Sequence, residues 1–481
     1  MNRRLMLRTL GAILLVEAFA MVPALLIALL YGEGDATAFV PPMGLLLLFG
    51  LPMRYLSRPR KTDLRAREGF LVVSLAWLLL SAFGALPFLF GGMFESPVDA
   101  WFEAVSGFTT TGATVLETID GQPHGLMFWR CFTHWIGGMG VLVLTLALLP
   151  KMSGRTSHLV RAESPGPTLS KIVPRMGDTA KILYLIYTVM TVVLIVSLMI
   201  AGLDPYDAVL HAMSTAGTGG FSNYSASVGA FQNPAVEVII TVAMLLFGVN
   251  FVLFYRLFTG GWREVVHSEE LRWYLAIFAV VTTVITVAIL PQYANAGEAL
   301  RYAAFQVSSV MSTTGFGTAD FNMWPVVTRM LILLIMFCGS CAGSTAGGMK
   351  ICRVAMMSKQ GLREVRHVFQ PRKVSVVRFE GKGVDEGLLR QVAVFMFIYV
   401  AMVVLGGLLI SFDGPNDVEA NLTASLTCMS NVGPFLSRTV STATCNAFGP
   451  FGKLVLSFLM LAGRLELLPI LALFHPEIWR K

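Results

Sequence analysis

Ten stretches of apolar side chains dominate the chain, near residues 9–31, 40–56, 69–92, 125–150, 181–203, 233–258, 272–291, 325–356, 391–412 and 449–475. Each is long enough to cross the roughly 30 Å of a bilayer's hydrocarbon layer. The expected fold class is an all-α polytopic membrane protein with ten transmembrane helices. Composition excludes the main alternatives. Only 14% of the residues are charged and 55% are hydrophobic, whereas a water-soluble chain needs roughly a quarter charged to cover its surface. A cytosolic enzyme or a disordered regulator cannot be built this way. Six cysteines in 481 residues do not make a secreted disulfide framework either. The first stretch is too long for a secretory leader and carries Glu17 and Pro23, so it is counted as a span.

The basic residues orient the spans. Arg3, Arg4 and Arg8, the linkers 54–68, 151–181, 256–272 and 350–390, and Arg480 and Lys481 hold 30 of the 36 Lys and Arg residues. Ten spans with both termini cytoplasmic put all of these on one side, as the positive-inside rule requires. Most acids, among them Glu33, Asp35, Glu103, Asp207, Asp320 and Asp417, fall on the other side. The net charge of +7 is thereby explained without nucleic acid.

Between alternate spans lie the stretches 97–124, 204–232, 295–324 and 415–448, too short and too mixed to cross a bilayer. Each continues as a short apolar helix and ends in Ser, Thr or Asn followed by glycine. They read Ala104-Val-Ser-Gly-Phe-Thr-Thr-Thr-Gly-Ala113, His211-Ala-Met-Ser-Thr-Ala-Gly-Thr218, Ser309-Val-Met-Ser-Thr-Thr-Gly-Phe316 and Thr427-Cys-Met-Ser-Asn-Val-Gly-Pro434. Aligned on a shared glycine they give Gly112, Gly217, Gly315 and Gly433. The implied unit is span, re-entrant pore helix, loop, span, used four times around a pseudo-fourfold pore. This divides the chain into an N-terminal helix pair (1–60) and repeats at 61–160, 161–262, 263–380 and 381–481.

Irregular backbone survives at membrane depth only when buried in protein or lining a watery cavity. Four such loops around one axis would turn main-chain carbonyls toward one another. Glycine permits the unusual dihedrals, hydroxyls add oxygens without bulk, and the partly negative helix C-termini point inward. Oxygen rings of this kind suit a dehydrated monovalent cation. The expected selectivity filter is Thr110, Thr111 and Gly112 in the first loop and Thr215, Ala216 and Gly217 in the second. Thr313, Thr314 and Gly315 supply the third and Asn431, Val432 and Gly433 the fourth.

These loops, with His134-Trp-Ile-Gly-Gly-Met-Gly140 and Gly339-Ser-Cys-Ala-Gly-Ser-Thr-Ala-Gly-Gly-Met-Lys350, resemble the Trk/Ktr/HKT superfamily of potassium transporters, in its bacterial uptake branch. The resemblance covers essentially the whole chain. It implies a potassium-channel-like pore within one polypeptide, in the bacterial inner membrane, usually assembled as a homodimer. It also implies a cytoplasmic TrkA-like ring that binds nicotinamide and adenine nucleotides. Potassium would be the transported ion, held at the filter residues, with no organic cofactor. Family members with serine in the first loop tend to admit sodium; Gly112 stands there in this chain. The competing readings are a sodium-permeable or ion-coupled symporter on the same scaffold and, from another class, an intramembrane hydrolase using Ser340 or Ser344. The hydrolase lacks a plausible base, so the chain is expected not to be an enzyme.

Two further features bear on gating. The run 325–356 is too long for one straight helix, and Cys338–Gly348 interrupts it with small residues, including Gly339, Gly343, Gly347 and Gly348. Each glycine costs about 1 kcal/mol relative to alanine inside a helix. The resemblance implies a gating loop here. Lys350 follows these glycines, but the spacing does not fit a phosphate-binding loop. Arg464 falls midway along the last span, where a permanently charged guanidinium must face water or a partner. It is expected to point into the pore below the filter, with Glu466 directed elsewhere. Cys338 and Cys341 lack further metal ligands. His134 and His211 are expected to be packing residues, and Glu17 and Glu466 are intramembrane carboxylates. The linker 350–390, with ten Lys and Arg, suits lipid headgroups or docking of a cytoplasmic partner.

Overall fold

The computed structural model describes residues 2–57, 66–140, 176–373, 375–437, 444–473 and 476. The second half of the expected span 125–150, most of the linkers 54–68 and 151–181, the tip of the fourth loop, and Arg480 and Lys481 lie outside the described residues.

Helices dominate, and the only strands among the described residues are the two-residue pair Arg378–Phe379 and Lys382–Gly383. Among the described residues, six helical segments are long and apolar enough to cross a membrane: Arg3–Tyr31, Asp35–Tyr55, Glu68–Phe90, Asp178–Ile200, Glu269–Gln292 and Glu386–Ile410. A seventh is broken. Pro234–Phe247 and Phe251–Phe258 meet at 93°, where the sequence suggests one continuous span over 233–258. Gly248 at the corner lies so close to Tyr274 that a methyl there would come within 2.4 Å of the phenol oxygen. Asn250 then caps the second piece by accepting from the Val252 N–H.

The stretch 325–356 is interrupted as expected. Helix Val326–Cys338 stops at Gly339, and helix Ile351–Phe369 begins after Lys350. The final span is not straight either. Pro450–Arg464 ends there, and Glu466 and Leu467 adopt left-handed backbone before Leu468–Ala472.

Inside this frame sit four short helices, Pro97–Phe108, Pro205–Gly217, Ala296–Met311 and Val418–Ser430. Their starts are marked in the sequence. Proline occupies the first turn of the first two, where its missing N–H is harmless. Asn295 and Asp417 cap the other two, accepting from the N–H groups of Glu298 and Glu419. Their C-terminal halves are almost wholly buried. The packing around them leaves no room for side chains at several positions. A methyl at Gly137 would lie 1.9 Å from the Phe108 carbonyl oxygen, and one at Gly217 would lie 2.3 Å from that of His134. The motif His134–Gly140 is thus the place where helix His124–Gly138 presses on the first two short helices.

Candidate functional site

All four short helices end in the same way. Thr110, Thr218, Thr313 and Asn431 take left-handed backbone, with φ of 55°, 56°, 57° and 56°. The next residue's N–H then reaches back into the helix: Thr111 to Ser106, Gly219 to Ser214, Thr314 to Ser309 and Val432 to Thr427, at 2.9, 2.9, 2.8 and 3.0 Å. This six-to-one bond closes a helix C-terminus in the Schellman manner and turns the chain out of the helix axis. One residue later comes a glycine at positive φ: Gly112, Gly220, Gly315 and Gly433.

The four turns close a ring. A methyl on Gly112 would sit 1.9 Å from the carbonyl oxygen of Gly219, and one on Gly220 2.0 Å from that of Thr314. Gly315 stands in the same relation to Val432, at 2.0 Å, and Gly433 to Thr111, at 2.6 Å. Each glycine therefore faces the carbonyl just before the glycine of the next turn, and the fourth returns to the first. Asn431 reinforces the closure by donating to Thr111 Oγ1 at 2.9 Å.

In the second turn the ring is three residues further along than the expected Thr215, Ala216 and Gly217. Those three form the last turn of helix Pro205–Gly217, with the Thr215 hydroxyl donating to the His211 carbonyl inside the helix. Thr218, Gly219 and Gly220 hold the ring positions. The shared Met-Ser-Thr at 213–215 and 311–313 favours the wrong register. The signal for the right one is Thr218-Gly-Gly-Phe221 set against Thr313-Thr-Gly-Phe316. In the other three turns the expected residues occupy the ring.

One mouth of the ring opens into a cavity of about 960 Å³ lined by all four ring glycines together with Tyr224, Asp320 and Asn322. The other is met by the loop between Gly339 and Lys350. The Gly347 N–H donates to Thr313 Oγ1 at 2.7 Å, and a methyl on Gly347 would lie 2.4 Å from the Ser430 carbonyl oxygen. Gly343 accepts from the Phe251 N–H at 3.1 Å, next to the 93° corner. Gly339 and Gly348 pack directly on each other. The four glycines thus let one mostly buried loop fit against the ring.

Arg464 reaches the same place. Its guanidinium donates to the carbonyls of Gly137 and Gly138, both at 2.6 Å, to that of Thr345 at 2.7 Å, and to Thr110 Oγ1 at 3.2 Å. Glu466 points elsewhere and pairs with Arg353 at 2.6 Å. The arginine joins the first ring turn, helix His124–Gly138 and the 339–350 loop.

Behind the ring stands a brace that no local sequence pattern marks. Glu103, in the first short helix, accepts from Arg130 Nε at 2.6 Å, from Thr114 Oγ1 at 2.8 Å and from the Val115 N–H at 3.0 Å. Arg130 also donates to the Ser222 carbonyl at 2.9 Å and lies 3.5 Å from the centre of the Phe221 ring. Both side chains of this ion pair are buried, at 1% and 0% exposure. Aligned on the ring glycines, Glu103 corresponds to His211 and Gln306. His211 Nε2 lies 3.0 Å from Ser222 Oγ, and Gln306 donates to the Ala319 carbonyl at 2.9 Å. All three tie a short helix to the segment leaving the ring. His134 packs on Phe221 with its Nδ1 2.7 Å from the Gly107 carbonyl oxygen. The Ser340 and Ser344 hydroxyls donate to the Met311 and Cys341 carbonyls. Among the described residues no group of three or more His, Cys, Asp or Glu could hold a metal ion.

Comparison with known proteins adds an independent line. Residues 38–481 match the family described as "TrkH: Cation transport protein". The chain is 37% identical over 490 residues to the "Trk system potassium uptake protein TrkH" of Halomonas elongata, with all of both chains covered. It is 31% identical over 475 residues to the "Trk system potassium uptake protein TrkG" of Escherichia coli, covering 98% of this chain and 97% of that one. Among solved structures it is similar to the "Potassium Transporter TrkH from Vibrio parahaemolyticus", with a TM-score of 0.90, 33% identity and complete coverage of both chains.

Proposed function

Because the chain belongs to the TrkH family of cation transport proteins, a transport family and not an enzyme family, we propose that it is a potassium-uptake protein of the bacterial inner membrane whose glycine ring is the selectivity filter. The observation that carries this is the closed cycle of four glycines, each facing the next turn's carbonyl. Main-chain oxygens fixed by Schellman turns replace water around a dehydrated monovalent cation without side-chain rearrangement. The relatives whose names state potassium uptake support potassium as the ion.

The remaining roles follow from position. The filter residues are Thr110, Thr111 and Gly112; Thr218, Gly219 and Gly220; Thr313, Thr314 and Gly315; and Asn431, Val432 and Gly433. Ions enter from the cavity that holds Asp320 and meet the 339–350 loop and Arg464 on the far side. The arginine's charge opposes cation exit, and its hydrogen bonds to the Thr345 carbonyl and to helix His124–Gly138 hold the loop closed. Gating moves that contact. The full arrangement is ten spans, four repeats and both termini cytoplasmic, in a homodimer with a TrkA-like nucleotide-binding ring on the basic face. The positive-inside bias supports the orientation. The repeated turns and the small-residue loop support the pore.

Flux of potassium, rubidium, sodium and lithium into proteoliposomes, with and without a proton gradient, tests this reading. Potassium and rubidium should pass and sodium and lithium be excluded. Equal sodium flux would favour the sodium-permeable alternative, and flux that needs the gradient would favour ion-coupled symport.

A further inference from the structure

Helix Ile351–Phe369 starts beside the ring and ends at the basic face, where a groove of about 400 Å³ separates it from the segment leading into the strand Arg378–Phe379. Six side chains that can carry positive charge line it: Lys359, Arg363, Arg366, His367, Lys373 and Arg378. No acid lines it. Two of the cations are already matched, Lys359 by Glu269 and Arg363 by Glu386 and Glu364. Arg366, Lys373 and Arg378 are exposed, and no acid pairs with them among the described residues. The walls are held in place. Lys359 Nζ donates to the Arg378 carbonyl at 2.7 Å, and Val377 is buried with Cys352, Met356, Leu389 and Val392.

Two observations say what enters. The matched acids Glu269 and Glu386 are the first residues of two membrane-crossing segments, Glu269–Gln292 and Glu386–Ile410. The groove therefore lies level with the ends of those segments, where headgroups lie. Its lining also includes exposed apolar side chains, Leu362 at 58% and Val376 at 61%. A soluble polyanion has no use for such side chains, whereas a phospholipid presents phosphate and acyl chain together.

We infer that this groove binds the headgroup of an anionic phospholipid, its phosphate held by Arg366, Lys373 and Arg378 and its chain laid over Leu362 and Val376. The same helix begins one residue after the loop that meets the ring, so bound lipid braces the loop's far end. That consequence rests on the pore reading; the binding itself does not.

The test measures lipid retention by native mass spectrometry of the full-length protein, extracted from vesicles of phosphatidylethanolamine with or without phosphatidylglycerol. The unsubstituted protein should retain phosphatidylglycerol selectively. The triple variant Arg366→Gln/Lys373→Gln/Arg378→Gln should lose about fivefold per charge, on the order of 100-fold in all. A control variant, Arg3→Gln/Arg4→Gln/Arg8→Gln, removes the same charge from the same face and should retain the lipid. Equal losses in both variants would reduce the effect to general surface attraction and overturn the site. Undiminished retention in the groove variant would overturn it too, leaving the basic groove to a protein partner. Displacement by glycerol 3-phosphate at concentrations matching the lipid would remove the apolar side chains from the site and refute the lipid assignment. Potassium flux is not needed for any of these outcomes, so failure here is distinguishable from failure of the pore reading.

Discussion

Gly220→Ser tests the ring and its register together. The new Cβ would stand 2.0 Å from the Thr314 carbonyl oxygen, and ordinary contact begins at 3.4 Å. The carbonyl or the serine backbone has to move by more than about 1 Å to relieve that overlap. At φ of 77°, a non-glycine residue adds about 1–2 kcal/mol of backbone strain, and overpacking adds about 1–3 kcal/mol. A misplaced carbonyl coordinates the preferred ion less well. If only about 1.4 kcal/mol of this strain appears as lost preference, the sodium-to-potassium permeability ratio rises about tenfold. Proteoliposome flux under sodium and potassium gradients reads that ratio directly.

Gly217→Ala is the matched control. Its methyl would lie 2.3 Å from the His134 carbonyl oxygen, in the packing between two helices. Gly217 is not itself a ring position, so the variant should lower thermal stability, read by fluorescence-detected size exclusion, and leave the ion ratio of the surviving protein unchanged. An unaltered ratio in Gly220→Ser would refute the ring assignment. A changed ratio in a stable Gly217→Ala protein would restore the register that Met-Ser-Thr suggests.

Gly112→Ser should likewise relax potassium-over-sodium selectivity about tenfold with the protein still folded, measured in the same flux assay. Replacing Gly343 and Gly347 by alanine should change open probability in planar bilayers more than it changes the ion ratio, because both lie in the loop and neither in the ring. Arg464→Ala should raise potassium flux about tenfold, since a fixed positive charge near the exit repels a cation by on the order of 1–3 kcal/mol. Loss of folding in that variant, seen by size exclusion, would instead assign the arginine a structural role. Glu103→Gln strands a buried guanidinium and should cost about 3–5 kcal/mol of stability, measured as a lowered unfolding temperature.

The parts of the site legible in sequence are those that glycine and proline punctuate. Gly112, Gly315 and Gly433 stand where no side chain fits, and the run Gly339–Gly348 breaks an otherwise unbroken apolar stretch. Both signals are local. The second turn departs from the Met-Ser-Thr alignment because its helix runs three residues further than that alignment allows. Gly217 serves close helix packing and Gly220 serves the ring, and a glycine's letter does not say which constraint it meets. The 93° corner at Gly248 was hidden because both halves are equally apolar. The Glu103–Arg130 pair was hidden because its members lie 27 residues apart, and only the fold shows that they are buried together.

A single chain also explains why the four quarters differ. In a ring of identical subunits every position repeats, so a buried ion pair or an asparagine appears four times or not at all. Here Asn431 replaces threonine at one turn and still holds the left-handed backbone, which asparagine tolerates well. Its amide donates to the Thr111 hydroxyl and to the Met460 carbonyl, so the seam between the last and first turns carries a side-chain link. Among the described residues the Glu103–Arg130 brace stands behind the first turn, and Arg464 comes from the fourth repeat. All three asymmetric devices meet the first turn, through Thr111, Glu103 and Thr110. The first turn is therefore the quarter of the ring on which these contacts converge. The loop touches the third turn through Thr313 and Gly347 and the fourth through Gly347 and Ser430.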